Sequence, residues 1–502
     1  MSWTREIAPQ RATGHRERIG AQEQARAVVV GGGIAGIAAA TILAEKGARV
    51  TLLERESYLG GRAGAWTDRL ASSEPFEMER GFHAFFRQYY NLRGLMRRVD
   101  PRLDALTPLA DYPLLGPDGA AESFADLPRL APFNVLELIR RTPRLRLLDL
   151  MRVRKLAALE MFAYDADRTY RRYDGTTAGA FLDSLRFPQD ARQMLFDVFA
   201  HSFFNPEEAM SAGDLLMMFH FYFTGNPEGL VFDVLDEPFS LALWAPFQRY
   251  LQGLGVRILL QSEAARVTPV EAGWRVELHG REEALDAELV ILAVNVPALR
   301  PIVAASPALG DPAWRRSVES LDVTLPFAVW RLWLDRPARA DRSPFAGTTG
   351  LGLLDNISLY ERFEGESRRF ALRVGGSVVE LHAYAVPESV SEAEIRRDLR
   401  QHLDEVYPEL REARVIEERY LLRRDCPAFP PGRHLERPAV ETPSPGVALA
   451  GDFVRLPFPT ALMERAAASG IRAANHLLSR WEIAPTELWS VPRRGMLARF
   501  FS

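Results

Sequence analysis

The sequence predicts an α/β protein in which a Rossmann-type dinucleotide domain is interleaved with an α+β domain. Three observations carry this prediction. A strand, glycine turn, helix, strand and acid follow one another at residues 27–54. A strand leads through a Gly-Asp turn into a helix at residues 446–475, and a buried apolar strand lies between them in VILAVNVPAL, residues 290–299.

Ala27–Val30 is apolar and β-branched, as a buried parallel strand requires, and Gly31, Gly33 and Gly36 follow with G-x-G-x-x-G spacing. Such glycines let the backbone approach a pyrophosphate at a helix N-terminus. A small-residue helix is expected over Ile37–Lys46, stopped by Gly47, and a second strand, Val50–Leu53, ends at Glu54. A carboxylate there accepts hydrogen bonds from a ribose diol.

NAD and FAD share this fingerprint. Gly60, Gly61 and Arg62 favour FAD, because a second glycine pair lets the chain pass close to the cofactor and an arginine reaches its phosphates. Near the other end, the run Gly446–Ala450 leads to Gly451 and Asp452, then to a loop and a helix expected from about Thr460. Asp452 is placed to bond the ribityl or pyrophosphate part of a flavin. The three segments together resemble the FAD-containing amine oxidase and carotene desaturase superfamily, whose fold is a glutathione-reductase-like FAD-binding domain.

The resemblance is sharper in MERGFHAFFRQYYNLRGLMRRVDP (residues 78–101), in LTPLADYPL, in HSFFNPEEAMSAGDLLMMFHFYF (201–223) and in GLVFDVLDEPFSLALWAPF (229–247). These segments resemble the bacterial β-carotene desaturase/methyltransferases, the isorenieratene synthases. The resemblance implies a carotenoid substrate, β-carotene or a similar polyene, whose β-ionone ring is oxidised to an arene with a 1,2-methyl shift. It implies hydride transfer to the flavin and an electron acceptor that is a quinone, oxygen or a reductase. Other readings are an acyclic carotene desaturase or isomerase, an amine oxidase, or a flavin-free lipid-binding relative of the GDP-dissociation inhibitors.

Arg80–Arg98 is expected to be a helix with a core stripe of Phe82, Phe85, Tyr89, Leu92 and Met96, and His83 on the neighbouring face. The resemblance places this segment beside the cofactor and makes His83 a catalytic candidate. Asp233, with Asp236 and Glu237, is an acidic group inside an apolar stretch, so Asp233 is a second candidate, as the base that completes aromatisation. The superfamily has Met/Leu-Glu-Gly-Ala at its last helix where this chain has Met463-Glu464-Arg465-Ala466, which keeps only Asp452 and the backbone around Met463 as cofactor contacts there.

Composition narrows the partners. A chain of 502 residues, 47% hydrophobic, buries more than one core, and a net charge of −4 gives no footprint for nucleic acid. The single cysteine, Cys426, excludes an internal disulfide, and the scattered histidines lack metal-ligand spacing, so no metal is expected. Residues 1–25 are expected to be a disordered extension. The FAD-binding domain is assigned to 26–110, 250–300 and 440–480, the substrate domain to 111–249 and 301–439, and a tail to 481–502. Helices are expected at Thr177–Leu185, Asp190–Phe199 and Ser211–Tyr222, and strands at Phe327–Leu334 and Val378–Tyr384.

Residues 135–162 interleave arginines (Arg140, Arg141, Arg144, Arg146, Arg152, Arg154) with leucines. They predict a helical region that docks on an anionic membrane surface. The protein is thus expected in the cytoplasm, peripherally bound to the inner face of the membrane.

Overall fold

The computed structural model describes residues 5–10, 13–20, 22–23, 25–117, 119, 121–141, 154–186, 192 and 204–500. The dinucleotide domain is built on strand β1 (Arg26–Val30), helix α1 (Ile34–Glu45) and strand β2 (Arg49–Leu53). It is completed by β3 (Arg257–Leu259), β4 (Leu289–Leu292), β5 (Val447–Leu449) and helix α2 (Leu462–Leu478). The five strands pair in parallel in the order β3-β2-β1-β4-β5. A parallel sheet needs both faces covered, which is why β1 and β4 are continuous apolar runs without alternation.

Helix α1 is buried at every position from Ile34 to Ala44, so its lack of a polar face is what its place against the sheet demands. It packs on α2 through Gly470, where a Cβ would lie 2.1 Å from the Ala35 carbonyl. The neighbouring Ser469 hydroxyl accepts the Gly451 N–H at 2.9 Å and ties α2 to the turn after β5.

The second domain is a seven-stranded sheet in the order Val415–Arg423, Phe327–Leu334, Ser377–Ala383, Asn356–Leu359, Phe345–Thr348, Leu114–Leu115 and Ala121–Glu122. Its first five strands run antiparallel to one another. All residues of Phe327–Leu334 and Ser377–Ala383 are buried, because the amphipathic helix Glu392–Val406 covers one face and residues 76–82 lie on the other. Helices Ala166–Tyr173, Ala178–Leu185 and Ala212–Phe219 form the helical part, the last continuing as a wider turn through Thr224. The helix expected at Asp190–Phe199 lies outside the described residues, apart from Arg192.

Three expectations are corrected. Arg80–Arg98 is not one helix: Gly81 has φ +119°, Phe85–Phe86 is a strand paired with Phe232 and Asp233, and the helix begins only at Tyr90. Phe85, Tyr89, Leu92 and Met96 are still buried and Phe82 lines the cavity, but cross-strand pairing overrides the helical spacing of the first half of the stripe. The described part of 1–25 is docked: Glu6–Ile7 pairs with Trp489–Ser490, and Ala8 and Ile19 are buried, so the two ends of the chain brace each other. Finally, Phe76 and Met78, assigned to the dinucleotide domain, share a core with Trp333, Tyr360 and Val378 of the second sheet. The domains exchange partners well before residue 110.

Candidate active site

A cavity of about 480 Å³ runs between the two domains, and the sequence motifs converge on one end of it. Gly31 turns the chain after β1 with φ +108°, and a Cβ there would strike the Ala293 carbonyl at 2.4 Å. Gly36 does not line the cavity; a Cβ on it would meet the Gly31 carbonyl at 1.8 Å, so it closes the helix onto the strand. Gly33 is different: the nearest atom to its missing Cβ is 3.8 Å away, and its open face looks into the cavity. As the N-cap of α1 it offers no side chain to the first-turn N–H groups, which leaves them for an anion.

Glu54 ends β2 at the cavity wall. Its carboxylate accepts the Gly32 N–H at 2.7 Å and the Glu56 N–H at 2.9 Å, which fixes its direction and leaves lone pairs for a diol. Burial raises its pKa, with the two backbone donors working against that rise. Gly60 donates to the Gly32 carbonyl at 2.8 Å, and Gly61 (φ +60°) passes close to Gly33. The second glycine pair therefore completes a cradle of backbone with no side chain inside it.

Beyond the cradle, Arg62 donates to Asp452 at 2.5 Å. Burial disfavours the guanidinium charge, but Asp452 outweighs it and the arginine pKa rises. Met463 and Leu462 line the cavity at the start of α2, whose N-cap, Ala461, also lacks a capping side chain. The departure at Arg465 is resolved by its direction. The arginine turns from the cavity and donates to the Thr460 carbonyl at 2.9 and 2.7 Å and to the Asp452 carbonyl at 3.2 Å, bracing the loop that a glycine would leave free. Glu464 accepts N–H groups of Asn91 and Leu92.

The other end of the cavity is walled by aromatic rings, among them Phe82, Phe86, Tyr112, Tyr222, Phe232 and Phe345. Phe82 stacks on Phe345 at 4.5 Å, and Phe232 meets both edge-on. His83 lies on the cavity wall, its Nδ1–H donated to the Gly81 carbonyl at 2.7 Å. Burial lowers its pKa to about 4, so at neutral pH it is an uncharged ring.

Asp233 is not a base. Its carboxylate is 4% exposed, is absent from the cavity wall and is held by Arg93 at 2.7 Å and Arg87 at 3.5 Å. The acid neutralises two arginines beneath the strand Phe232–Leu235, so its apolar sequence context reported burial and not reactivity.

Besides His83 and the tyrosine hydroxyls among these rings, further polar groups on the cavity wall come from the second sheet. His382 and Tyr384 line the cavity, with Asp355 and Asn356 beside them. Their signal in the sequence is Glu380, His382 and Tyr384 at every second position, through the strand Ser377–Ala383 and one residue past its end. The same alternation is what any buried strand shows, so by itself it does not single these residues out.

The fold and this site define a dinucleotide-dependent oxidoreductase with a separate, largely apolar substrate chamber. The profile of the flavin containing amine oxidoreductases matches residues 34–478. A carotenoid phi-ring synthase of Streptomyces griseus is 48% identical over 470 residues, 94% of this chain and 91% of that protein. The carotenoid phi-ring synthase of Chlorobaculum tepidum is 29% identical over 602 residues, again with 94% and 91% covered. A cofactor-site variant of putrescine oxidase shares the fold with a TM-score of 0.66 and 17% identity, covering 91% of this chain and 99% of its own. The chain belongs to the flavin containing amine oxidoreductase family, as an FAD-dependent enzyme of its carotenoid branch.

Proposed function

We propose that the protein converts the β-ionone ring of a carotenoid into a trimethylphenyl ring, as in the change from β-carotene to isorenieratene. The observation that carries this reading is the continuity of one cavity from the glycine cradle to a chamber of aromatic faces. The Streptomyces griseus relative, a carotenoid phi-ring synthase by name, supports the same substrate class.

The residues present fit FAD. Gly31, Gly33 and the bare N-terminus of α1 would hold the pyrophosphate, with Gly36 closing the turn behind them, and Glu54 the ribose. Gly61, Arg62, Asp452 and the backbone at Met463 would hold the part leading to the ring system. When bound, the flavin would supply the acceptor for the two hydrides that each ring loses, one at a time with reoxidation between them, since a hydrocarbon without heteroatoms offers no other handle.

The chain's own contribution is position, charge and dryness. Aromatic faces stabilise a ring cation without forming a bond to it, and His83, uncharged at neutral pH, adds no positive charge beside it. A cation next to a quaternary carbon relaxes by migration of a methyl group, provided that water is excluded. Expression in cells that accumulate β-carotene tests the reading: the product should keep every carbon and lose four hydrogens per ring. An acyclic or merely isomerised product would reject it.

In this reading the substrate arrives from a bilayer, and the protein docks on the inner face of the membrane. Among the described residues no helix is long and apolar enough to cross a membrane. Helix Phe133–Arg141 supports docking, with Phe133 62% and Leu136 56% exposed and Leu130 just before it. Arg140 and Arg141 follow, both paired with Glu137. Arg144, Arg146 and Arg152 lie outside the described residues, and Arg154 is exposed.

A further inference from the structure

The aromatisation proposed above ends in loss of a proton from a ring cation, and Asp233 is turned away from the chamber. Another acceptor stands at the end of the strand Ser377–Ala383. There Glu380 accepts from His382 Nε2 at 2.7 Å, and His382 Nδ1 lies 2.7 Å from the Tyr384 hydroxyl.

The direction of these bonds follows from charge. Glu380 is fully buried; burial opposes its ionisation, but the Arg331 guanidinium, 2.8 Å away, and the N–H it accepts from His382 outweigh that and hold the carboxyl well below the usual carboxylate range. An ionised Glu380 only accepts, so His382 carries a proton on Nε2, and in the neutral ring Nδ1 is then bare. The Tyr384 hydroxyl must then donate to Nδ1. It also accepts the Asn356 side-chain N–H at 3.0 Å, which uses one of its two lone pairs. The other remains at the cavity wall that Tyr384 lines.

The surroundings hold this arrangement in place. Arg331 is 1% exposed, lies 3.9 Å over the Tyr360 ring, and bridges Glu380 and Glu79. The Phe82 N–H donates to Glu380 at 2.9 Å, and the Tyr384 N–H to Asp355 at 2.6 Å. Gly81 makes room: a Cβ there would lie 2.9 Å from His382 Cε1.

We propose that Tyr384 is the base of the reaction and that His382 and Glu380 drain the proton from it. The ring C–H proton passes to the Tyr384 oxygen, and the electron pair of that bond completes the arene. The hydroxyl's own proton moves to His382 Nδ1. Charge thus leaves the ring and ends as an imidazolium facing the Glu380 carboxylate, in the manner of a nucleophile–histidine–acid triad with tyrosine as its outer member. Only protons move, so this step needs no further oxidant.

The proposal rests on the carotenoid-ring reading, and the test separates the two. The first measurement is imidazole 15N resonances of the flavin-free parent, where His382 should show a protonated Nε2 and a hydrogen-bonded Nδ1 that moves in Tyr384→Phe. The second is turnover of flavin-loaded protein with β-carotene. Tyr384→Phe should bind the carotenoid with parental affinity, judged by its absorption shift. It should form arene on the order of 10²-fold more slowly, with unaromatised or water-trapped product accumulating. Arene at the parental rate in Tyr384→Phe, or a proton on Nδ1 of the parent, overturns the relay alone. A parent that leaves the ring unchanged overturns the functional reading, and the relay's role with it.

Discussion

Arg62 and Asp452, 390 positions apart in the chain, meet at 2.5 Å on the cavity wall and join the first glycine cradle to the turn after β5. The aspartate side chain is 8% exposed and the arginine 28%, so Asp452 depends on the arginine more than the reverse. Arg62→Met should therefore destabilise the protein by about 3 kcal/mol, the low end for breaking a buried pair. Adding Asp452→Asn should recover part of that loss, because the stranded charge is gone. Urea midpoints of both single variants and the double variant measure this, and additive losses would show that the pair is not coupled.

Gly33→Ala should separate folding from cofactor binding. The new methyl meets nothing closer than 3.8 Å, and φ at this position is −77°, so the chain folds. The methyl stands where the pyrophosphate must approach, and the purified protein should lack the flavin absorption band while unfolding within a few degrees of the parent. Glu54→Ala should weaken flavin binding by about 1.5–3 kcal/mol, roughly ten- to a hundredfold in dissociation constant. Flavin-replete Gly33→Ala would remove the pyrophosphate from that face of the turn.

Acid should unfold the protein through its buried histidines. His220 is 1% exposed and accepted by the Pro492 carbonyl at 2.7 Å, and burial lowers its pKa to about 4. On acidification the unfolded chain takes up the proton first, near its ordinary 6.5. Stability is thus full above pH 6.5 and is lost as the pH falls toward 4, by on the order of 3 kcal/mol for this group. His83, also depressed to about 4, acts in the same window. Proton uptake on unfolding at pH 5 should be one lower in His220→Gln; an unchanged value would mean that His220 titrates normally in the folded protein.

Membrane docking should depend on the exposed apolar residues at one helix. Phe133→Ser with Leu136→Ser should lower partition onto anionic vesicles, and salt should lower it for the parent, each basic residue near the surface contributing about 1 kcal/mol. Flotation of the double variant equal to the parent would move the docking face elsewhere.

The cofactor half of the site was legible in the chain because its requirements are local. A turn that must accept φ +108° at Gly31, a helix start without a side chain at Gly33 and an acid at the end of β2 leave their marks within thirty residues. The burial of α1 and β1, and the parallel sheet they imply, follow from unbroken apolar runs. Of the two catalytic candidates, His83 lines the cavity and Asp233 does not, and the place of His382 and Tyr384 on that wall was not legible. Asp233 and Tyr384 both stand in apolar sequence contexts, and nothing near either one says which faces the cavity. Arg93 and Arg87 turn Asp233 away, whereas Arg331 on the neighbouring strand fixes Glu380 and, through it, His382 and Tyr384. A buried charge is assigned its role by the partner that compensates it, and those partners come from other strands and helices. Residue pattern therefore determined where the dinucleotide domain lies and how its turn is built, while only the packing of the second sheet against residues 76–86 decided which polar groups reach the chamber.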